Sequence, residues 1–97
     1  MRIVIHAPTA GALKRARSNL KNLLAARPDA EVRIIANADA VKAATESPDP
    51  SCDAHVCLCE NTLARMDMKA PEGVATVPAG VEEIARLQSE GWIYIRA

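Results

Sequence analysis

Three cysteines, Cys52, Cys57 and Cys59, lie within eight residues of one another. The thiolate form of cysteine is both the nucleophile and the metal ligand, so their surroundings decide what they do. An odd number of cysteines without a secretory signal argues against a disulfide framework. Each cysteine is therefore a buried thiol, a metal ligand or a reactive thiol.

A zinc site is the first alternative, because His55 lies among the three cysteines. The spacing lacks the paired C-x₂₋₄-C knuckles of structural zinc sites, so we predict no metal. The chain also carries no GxGxxG fingerprint, no P-loop, no paired carboxylates and no Ser/His/Asp set. We predict that the protein works without a cofactor.

Five short apolar runs that alternate with helical patterns must position these cysteines. We predict strands at residues 3–5, 32–36, 55–58, 74–77 and 92–95. One helix starts after Thr9 and ends before Pro28, a second is capped by Asn37, a third spans residues 60–67, and a fourth follows Gly80 and is closed by Gly91. This order predicts a single α/β domain over residues 1–97, a three-layer α/β/α fold with a five-stranded, mainly parallel sheet and Rossmann-like topology.

Reactive groups in parallel sheets gather beyond the carboxyl ends of the strands. His6, Asn37, Cys59 and Gly80 follow four predicted strands and are expected at this edge. Cys59 stands where the third strand meets the next helix, whose unpaired N–H groups favour a thiolate. The alternative is a buried, inert cysteine.

The other two cysteines are candidate resolving thiols. Cys57 precedes Cys59 by two residues, so the two side chains share a strand face, and Cys57 serves either as a resolving thiol or as a small core residue. Cys52 lies in the proline-containing loop 46–53, which we expect to be exposed and mobile. Cys52 is therefore the better resolving candidate.

Composition limits the classes of partner. Twelve basic and twelve acidic side chains cancel, whereas nucleic-acid-binding domains usually carry a basic excess, so we predict no nucleic-acid partner. No stretch approaches the roughly 18 apolar residues of a membrane span. Residues 1–8 are too short and too soon interrupted for a signal peptide, so we expect a cytoplasmic protein.

The apolar residues are unusually small, with 19 alanines, no phenylalanine, one tryptophan and one tyrosine. A domain of 97 residues with such a core is marginal as a monomer. Association of copies would add buried area, and Trp92 and Tyr94 on the last strand are candidates for subunit packing. We therefore predict a homo-oligomer.

The segment around Cys59 resembles a known pattern. Residues 59–63 (CENTL) are similar to the C-x-N-T-L segment of small DsrE/DsrF-like proteins. The resemblance continues in the same order over nearly the whole chain apart from loop 46–53, in Asn22-Leu23-Leu24, residues 28–31 (PDAE), Ala36-Asn37, Ala40-Val41, residues 77–81 (VPAGV), Gln88 and residues 90–95 (EGWIYI).

This resemblance implies a sulfur-carrier function and a homo-oligomer, either a trimer or a hexamer. Cys59 would carry sulfur as a persulfide between donor and acceptor proteins, as a sulfur carrier or sulfurtransferase. From their positions at the strand ends, His6, Asn37 and Gly80 are expected to shape the site, and Asn61 and Thr62, which open the third helix, are expected to cap it or to contact the ligand. Two alternatives stay open: a non-catalytic oligomeric binding module, and a thiol redox sensor that pairs Cys59 with Cys52 or Cys57.

Overall fold

A computed structural model describes all residues, 1–97. Its strands are β1 (Arg2–Ala7), β2 (Glu31–Ala36), β3 (Val56–Cys59), β4 (Ala75–Val77) and β5 (Ile93–Arg96). Its helices are α1 (Ala10–Ala26), α2 (Asp39–Glu46), α3 (Glu60–Arg65) and α4 (Gly80–Ser89). None of the four helices is both long and apolar enough to cross a bilayer.

The five strands form one sheet in the order β4-β3-β2-β1-β5, and every neighbouring pair is parallel. The predicted α/β class and strand number are confirmed, and the sheet is wholly rather than mainly parallel. The register aligns the carboxyl ends, since His6 pairs with Ile35 and Arg96, and Cys59 pairs with Val77. One edge of the sheet thus gathers the ends of all five strands.

The strand order decides which face each helix covers. From β1 to β4 the chain moves steadily across the sheet, whereas from β4 to β5 it returns to the far side of β1. Because parallel crossovers are right-handed, α1, α2 and α3 cover one face and α4 covers the other. The predicted three layers follow from this reversal.

The core is divided between the two faces of the sheet. The larger cluster has 19 residues and includes Ile3, Ile5 and Leu58 with α1 and α2 side chains such as Leu13 and Val41. The smaller cluster packs α4 against the opposite face, where it contains Val4, Ile35, Ile84, Leu87 and Trp92. Alternation along the strands explains the split, because neighbouring residues point to opposite faces.

Most predicted boundaries hold within two residues. Thr9 caps α1, since its Oγ1 accepts from the Ala12 N–H at 3.0 Å, and Gly91 follows α4 with a φ of +91°. Two residues at these boundaries were assigned the wrong role. His55 belongs to a 3₁₀ turn (Asp53–His55) rather than to β3, and the residue before α2 is Ala38, so Asn37 does not cap that helix.

Candidate functional site

At one point on the carboxyl edge of the sheet, two consecutive connections leave towards opposite faces. The chain leaves β3 for α3 on one face and leaves β4 for α4 on the other. In open parallel sheets such a switch point opens a crevice in which ligands bind. Cys59, the last residue of β3, and Gly80, the first residue of α4, both lie at this point.

Hydrogen-bond donors from both connections surround the Cys59 sulfur. Burial by itself would raise the pKa of Cys59, and the side chain is only 6% exposed. The Thr62 hydroxyl and the backbone N–H groups of Gly80, Thr62 and Asn61 oppose this effect and hold the pKa of Cys59 below its ordinary value. Donors of this kind stabilise the thiolate, which is the nucleophilic form.

Thr62 links this site to the next connection along the sheet. Its side chain is 2% exposed, and its Oγ1 accepts a hydrogen bond from the Ala38 N–H at 3.3 Å. A hydroxyl can accept and donate together, so the proton of Thr62 is available to Cys59. The Thr62 side chain does not cap α3, and its predicted ligand contact stays a prediction.

The Ala38 backbone is held in a conformation that alanine rarely adopts. Its φ is +49° and its ψ is −136°. Such strain costs on the order of 1–3 kcal/mol and persists only where neighbouring structure enforces it. The hydrogen bond to Thr62 and the turn that starts α2 are the neighbours here. The strained residue therefore lies one hydrogen bond from the group that contacts Cys59.

Gly80 allows α4 to approach β2 and β3 closely. A Cβ atom added to Gly80 would lie 3.3 Å from Ile35 Cγ2, 3.4 Å from Asn37 Cβ and 3.6 Å from Cys59 Cβ. Even an alanine at this position would require Ile35 to shift slightly, and a larger side chain would need more room. The glycine thus brings its own N–H to the Cys59 sulfur.

Asn61 contributes its backbone rather than a known side-chain contact. Its N–H faces Cys59 and also donates to the Pro78 carbonyl at 3.3 Å. This second bond ties the start of α3 to the connection that leads into α4. The Asn61 side chain is exposed and makes no hydrogen bond within the chain, and its predicted ligand contact stays a prediction.

A second group of polar side chains lies along the same edge. His6 Nδ1 is 2.9 Å from the Tyr94 hydroxyl, and His6 Nε2 is 3.0 Å from Asn37 Oδ1. The histidine is therefore hydrogen-bonded at both ring nitrogens. Of the predicted site residues, His6 and Asn37 contact each other, and Asn37 and Cys59 both border Gly80.

Tyr94 was not foreseen as a member of this group. The sequence pattern predicts that Tyr94 and Trp92 pack between subunits, whereas Trp92 is buried in the α4 core and Tyr94 is partly exposed beside His6. Tyr94 is the second residue of β5 and pairs with Val4, so its position in the strand does not point to the carboxyl edge. The contact between Tyr94 and His6 depends on the placement of β5 next to β1, which no local sequence pattern predicts.

Cys57 lies away from the switch point. It is half-buried, packs against the α4 core cluster, and lines a groove at the amino ends of β2, β3 and β4 with Arg33, His55 and Ala75. Burial raises the pKa of Cys57, while the charge of Arg33 opposes this. These features fit the alternative of a small core residue, and its role as a resolving thiol stays untested.

The expected exposure of Cys52 was wrong. Cys52 is fully buried in the larger core cluster, with its Sγ 4.0 Å from the Arg17 carbonyl oxygen. Charged contacts hold its loop to α1, with Arg17 3.8 Å from Asp53 and Lys21 3.7 Å from Asp49. Burial raises the pKa of Cys52, so neither access nor ionisation favours a resolving role.

All three cysteines are free thiols. No three His, Cys, Asp or Glu side chains come together in an arrangement that could hold a metal ion.

The chain is similar over its whole length to a solved structure of a protein of unknown function. The match is to MTH1491, a protein of unknown function from Methanobacterium thermoautotrophicum, with 29% identity and a TM-score of 0.84, and it covers 99% of this chain and 98% of that one. No protein-family model matches the chain, and no curated protein matches it significantly. The resemblance to DsrE/DsrF-like proteins therefore stays a prediction.

Proposed function

We propose that this protein is a sulfur carrier of the DsrE/DsrF-like type in which Cys59 holds a sulfur atom as a persulfide. The observation that carries the proposal is the position of Cys59 at the switch point, with its Cβ 3.6 Å from where a Gly80 Cβ would lie and with the Thr62 hydroxyl and the N–H groups of Gly80, Thr62 and Asn61 lowering its pKa. These donors belong to α3 and α4, which leave the sheet on opposite faces.

The proposed transfer is thiol exchange and needs no external oxidant. The Cys59 thiolate attacks the outer sulfur of a donor persulfide, R–S–SH. A bond forms between Cys59 Sγ and that sulfur, and the donor S–S bond breaks with its electron pair leaving on R–S⁻. An acceptor thiolate then attacks the same outer sulfur, which restores the Cys59 thiolate.

The surroundings of Cys59 suit both halves of this exchange. The donors around Sγ stabilise the thiolate as attacking group and again as leaving group. Cys57 has no such donor and Cys52 has only the Ser51 hydroxyl, 3.8 Å from its Sγ, so burial raises the pKa of each. The three thiols therefore differ in the property that governs exchange.

Sulfur loading of cysteine variants tests the proposal. Treatment with polysulfide, or with thiosulfate and a sulfurtransferase, should add about 32 Da to the wild-type chain as a persulfide. Cys59→Ser should abolish the addition, whereas the matched Cys57→Ser should retain it. Fragmentation mass spectrometry would locate the added sulfur. Sulfur loading that persists in Cys59→Ser and disappears in Cys57→Ser would assign the persulfide to Cys57 instead.

The proposal extends to partners and location. The protein would exchange sulfur with donor and acceptor proteins in the cytoplasm, as a homo-oligomer and without a cofactor. A wild-type chain that takes up no sulfur would leave a non-catalytic binding module at the same edge as the better assignment.

A further inference from the structure

A continuous hydrogen-bonded chain runs along the carboxyl edge from β5 to β2. Tyr94, His6 and Asn37 lie on three adjacent strands or their ends, in the order β5, β1 and β2. The Asn37 Oδ1 atom accepts from His6 Nε2, so the imidazole proton is on Nε2. His6 Nδ1 is then an acceptor, and the Tyr94 hydroxyl donates to it.

This arrangement fixes which end of the Asn37 amide is available. Oδ1 is occupied by His6, whereas Nδ2 has no acceptor within the chain and is not among the buried unpartnered atoms. Nδ2 is therefore a donor that solvent can reach. A Cβ atom added to Gly80 would lie 3.4 Å from Asn37 Cβ and 3.6 Å from Cys59 Cβ. The two side chains therefore start from neighbouring points at the carboxyl edge, within reach of a sulfur atom added to Cys59.

We propose that Asn37 Nδ2 binds the outer sulfur of the Cys59 persulfide, and that His6 and Tyr94 are positioning residues that hold the amide in this orientation. The inference rests on the proposed carrier function and names the ligand of its second subsite, an anionic sulfane sulfur. The backbone donors would bind the inner sulfur, Sγ, and Asn37 would bind the outer one.

The chemistry requires two separate sets of donors. The exchange moves negative charge from Sγ in the free thiolate to the outer sulfur once the persulfide ionises. Donors that stabilised only Sγ would favour discharge over storage. A donor to the outer sulfur stabilises the loaded state, because hydrogen bonds to charged groups are stronger than those to neutral groups.

The test compares loaded and unloaded protein at equilibrium with glutathione persulfide and glutathione. Asn37→Asp preserves the shape and the acceptor for His6 but replaces the donor by a carboxylate, whose charge also repels an anionic sulfur, and we expect the loaded fraction relative to free thiol to fall at least about tenfold. Tyr94→Phe removes a single hydroxyl at a partly exposed position and should lower the loaded fraction by a smaller factor. Asn22→Asp, on the exposed surface of α1, is the matched control and should load as the wild type does.

Nitrogen-15 NMR of the His6 ring separates positioning from general damage. The wild type should show the Nε2–H tautomer, and Tyr94→Phe should shift the ring towards a mixture of tautomers. A wild-type Nδ1–H tautomer, or variants that load as the wild type does, would overturn this inference alone. A wild-type protein that never loads would overturn the carrier function and this inference together.

Discussion

At the scale of single residues, Cys59 is distinguished from its two neighbours by hydrogen-bond donors rather than by exposure. Cys59 is nearly as inaccessible as Cys52, and Cys57 is more accessible than either. Only around Cys59 do a hydroxyl and several amides outweigh the cost of burying a charge. Reactivity in this chain is therefore expected to follow donors and not surface area.

Removal of the Thr62 hydroxyl should weaken Cys59 as a nucleophile. In Thr62→Val the sulfur loses a donor in a buried site, so the pKa of Cys59 should rise and its alkylation at pH 7 should slow about tenfold. Thr62→Ser keeps the hydroxyl and serves as the matched control. Iodoacetamide rates measured against pH, with mass mapping of the modified cysteine, give the titration midpoint. Equal titration midpoints in Thr62→Val and the wild type would show that the Thr62 hydroxyl does not stabilise the Cys59 thiolate.

The sequence identified the residues of this edge more readily than their contacts. His6, Asn37, Cys59 and Gly80 could be placed there because each follows an apolar strand. The hydrogen bond from Ala38 to Thr62 could not be predicted, because it joins two connections whose strands are neighbours only in the folded sheet. The burial of Cys52 was also missed, since a loop rich in proline and polar residues gives no sign that one side chain turns inward.

At the scale of elements, the start of α4 is where helix packing and the site meet. Gly80 is a poor helix former by intrinsic propensity, yet it occupies the first helical position because a side chain there would contact Ile35, Asn37 and Cys59. Gly80 thus lowers the local stability of α4 and at the same time allows its N–H to approach the Cys59 sulfur closely.

Two glycine-to-alanine substitutions should therefore have opposite effects. Gly11→Ala in α1 places a Cβ that meets only the end of Arg15, at 3.6 Å. It should raise the free energy of unfolding by about 0.5–1 kcal/mol. Gly80→Ala gains helix propensity too, but its Cβ would lie 3.3 Å from Ile35 Cγ2, which is tighter than most Cβ contacts, so it should lower stability by about 1 kcal/mol and raise the pKa of Cys59.

Urea unfolding and the alkylation profile measure both effects of these substitutions. A Gly80→Ala protein as stabilised as Gly11→Ala, with Cys59 unchanged, would contradict the role of Gly80.

Element order was predictable because the alternation of short apolar runs with helical patterns is strong in this chain. The start of α2 was not predictable, since an asparagine after a strand usually indicates a helix cap. Here the Asn37 side chain bonds to His6 instead, and the strained Ala38 takes the position before the helix. A tertiary contact overrode a local preference.

At the scale of the whole molecule, the thiols make stability depend on pH in opposite directions. The pKa of Cys59 is lowered on folding, so its contribution grows as pH rises from the folded pKa towards the ordinary value of about 8.5 and stays constant above it. The pKa of Cys57 is raised, so its contribution is lost as pH rises above about 8.5.

Unfolding by urea between pH 6 and 10, under reducing conditions, should reveal these signs. The free energy of unfolding of the wild type minus that of Cys59→Ser should increase with pH up to about 8.5. The same difference for Cys57→Ser should be flat below that pH and decrease above it. Parallel curves for the two variants would show that the environments of the two thiols are alike, contrary to the structure.

Assembly of several copies is the remaining prediction at this scale. The strand order leaves β5 at an edge of the sheet, with its outer backbone groups unpaired, and Ile93 and Tyr94 on it are 49% and 37% exposed. Exposed edge strands with apolar side chains favour association with another chain. Since Tyr94 is bonded to His6 and Trp92 is buried, Ile93 is the apolar residue of β5 most available to a second copy.

Light scattering at micromolar concentration should therefore give three or six times the 10.4 kDa of one chain. Ile93→Lys should reduce this mass to that of the monomer, because a charge cannot be buried unpaired at an interface. Val81→Lys makes the same change on α4, at a residue that is 65% exposed, and should leave the assembly intact. A wild-type mass of one chain would refute the oligomer, and loss of assembly in Val81→Lys alone would assign the interface to α4 rather than to β5.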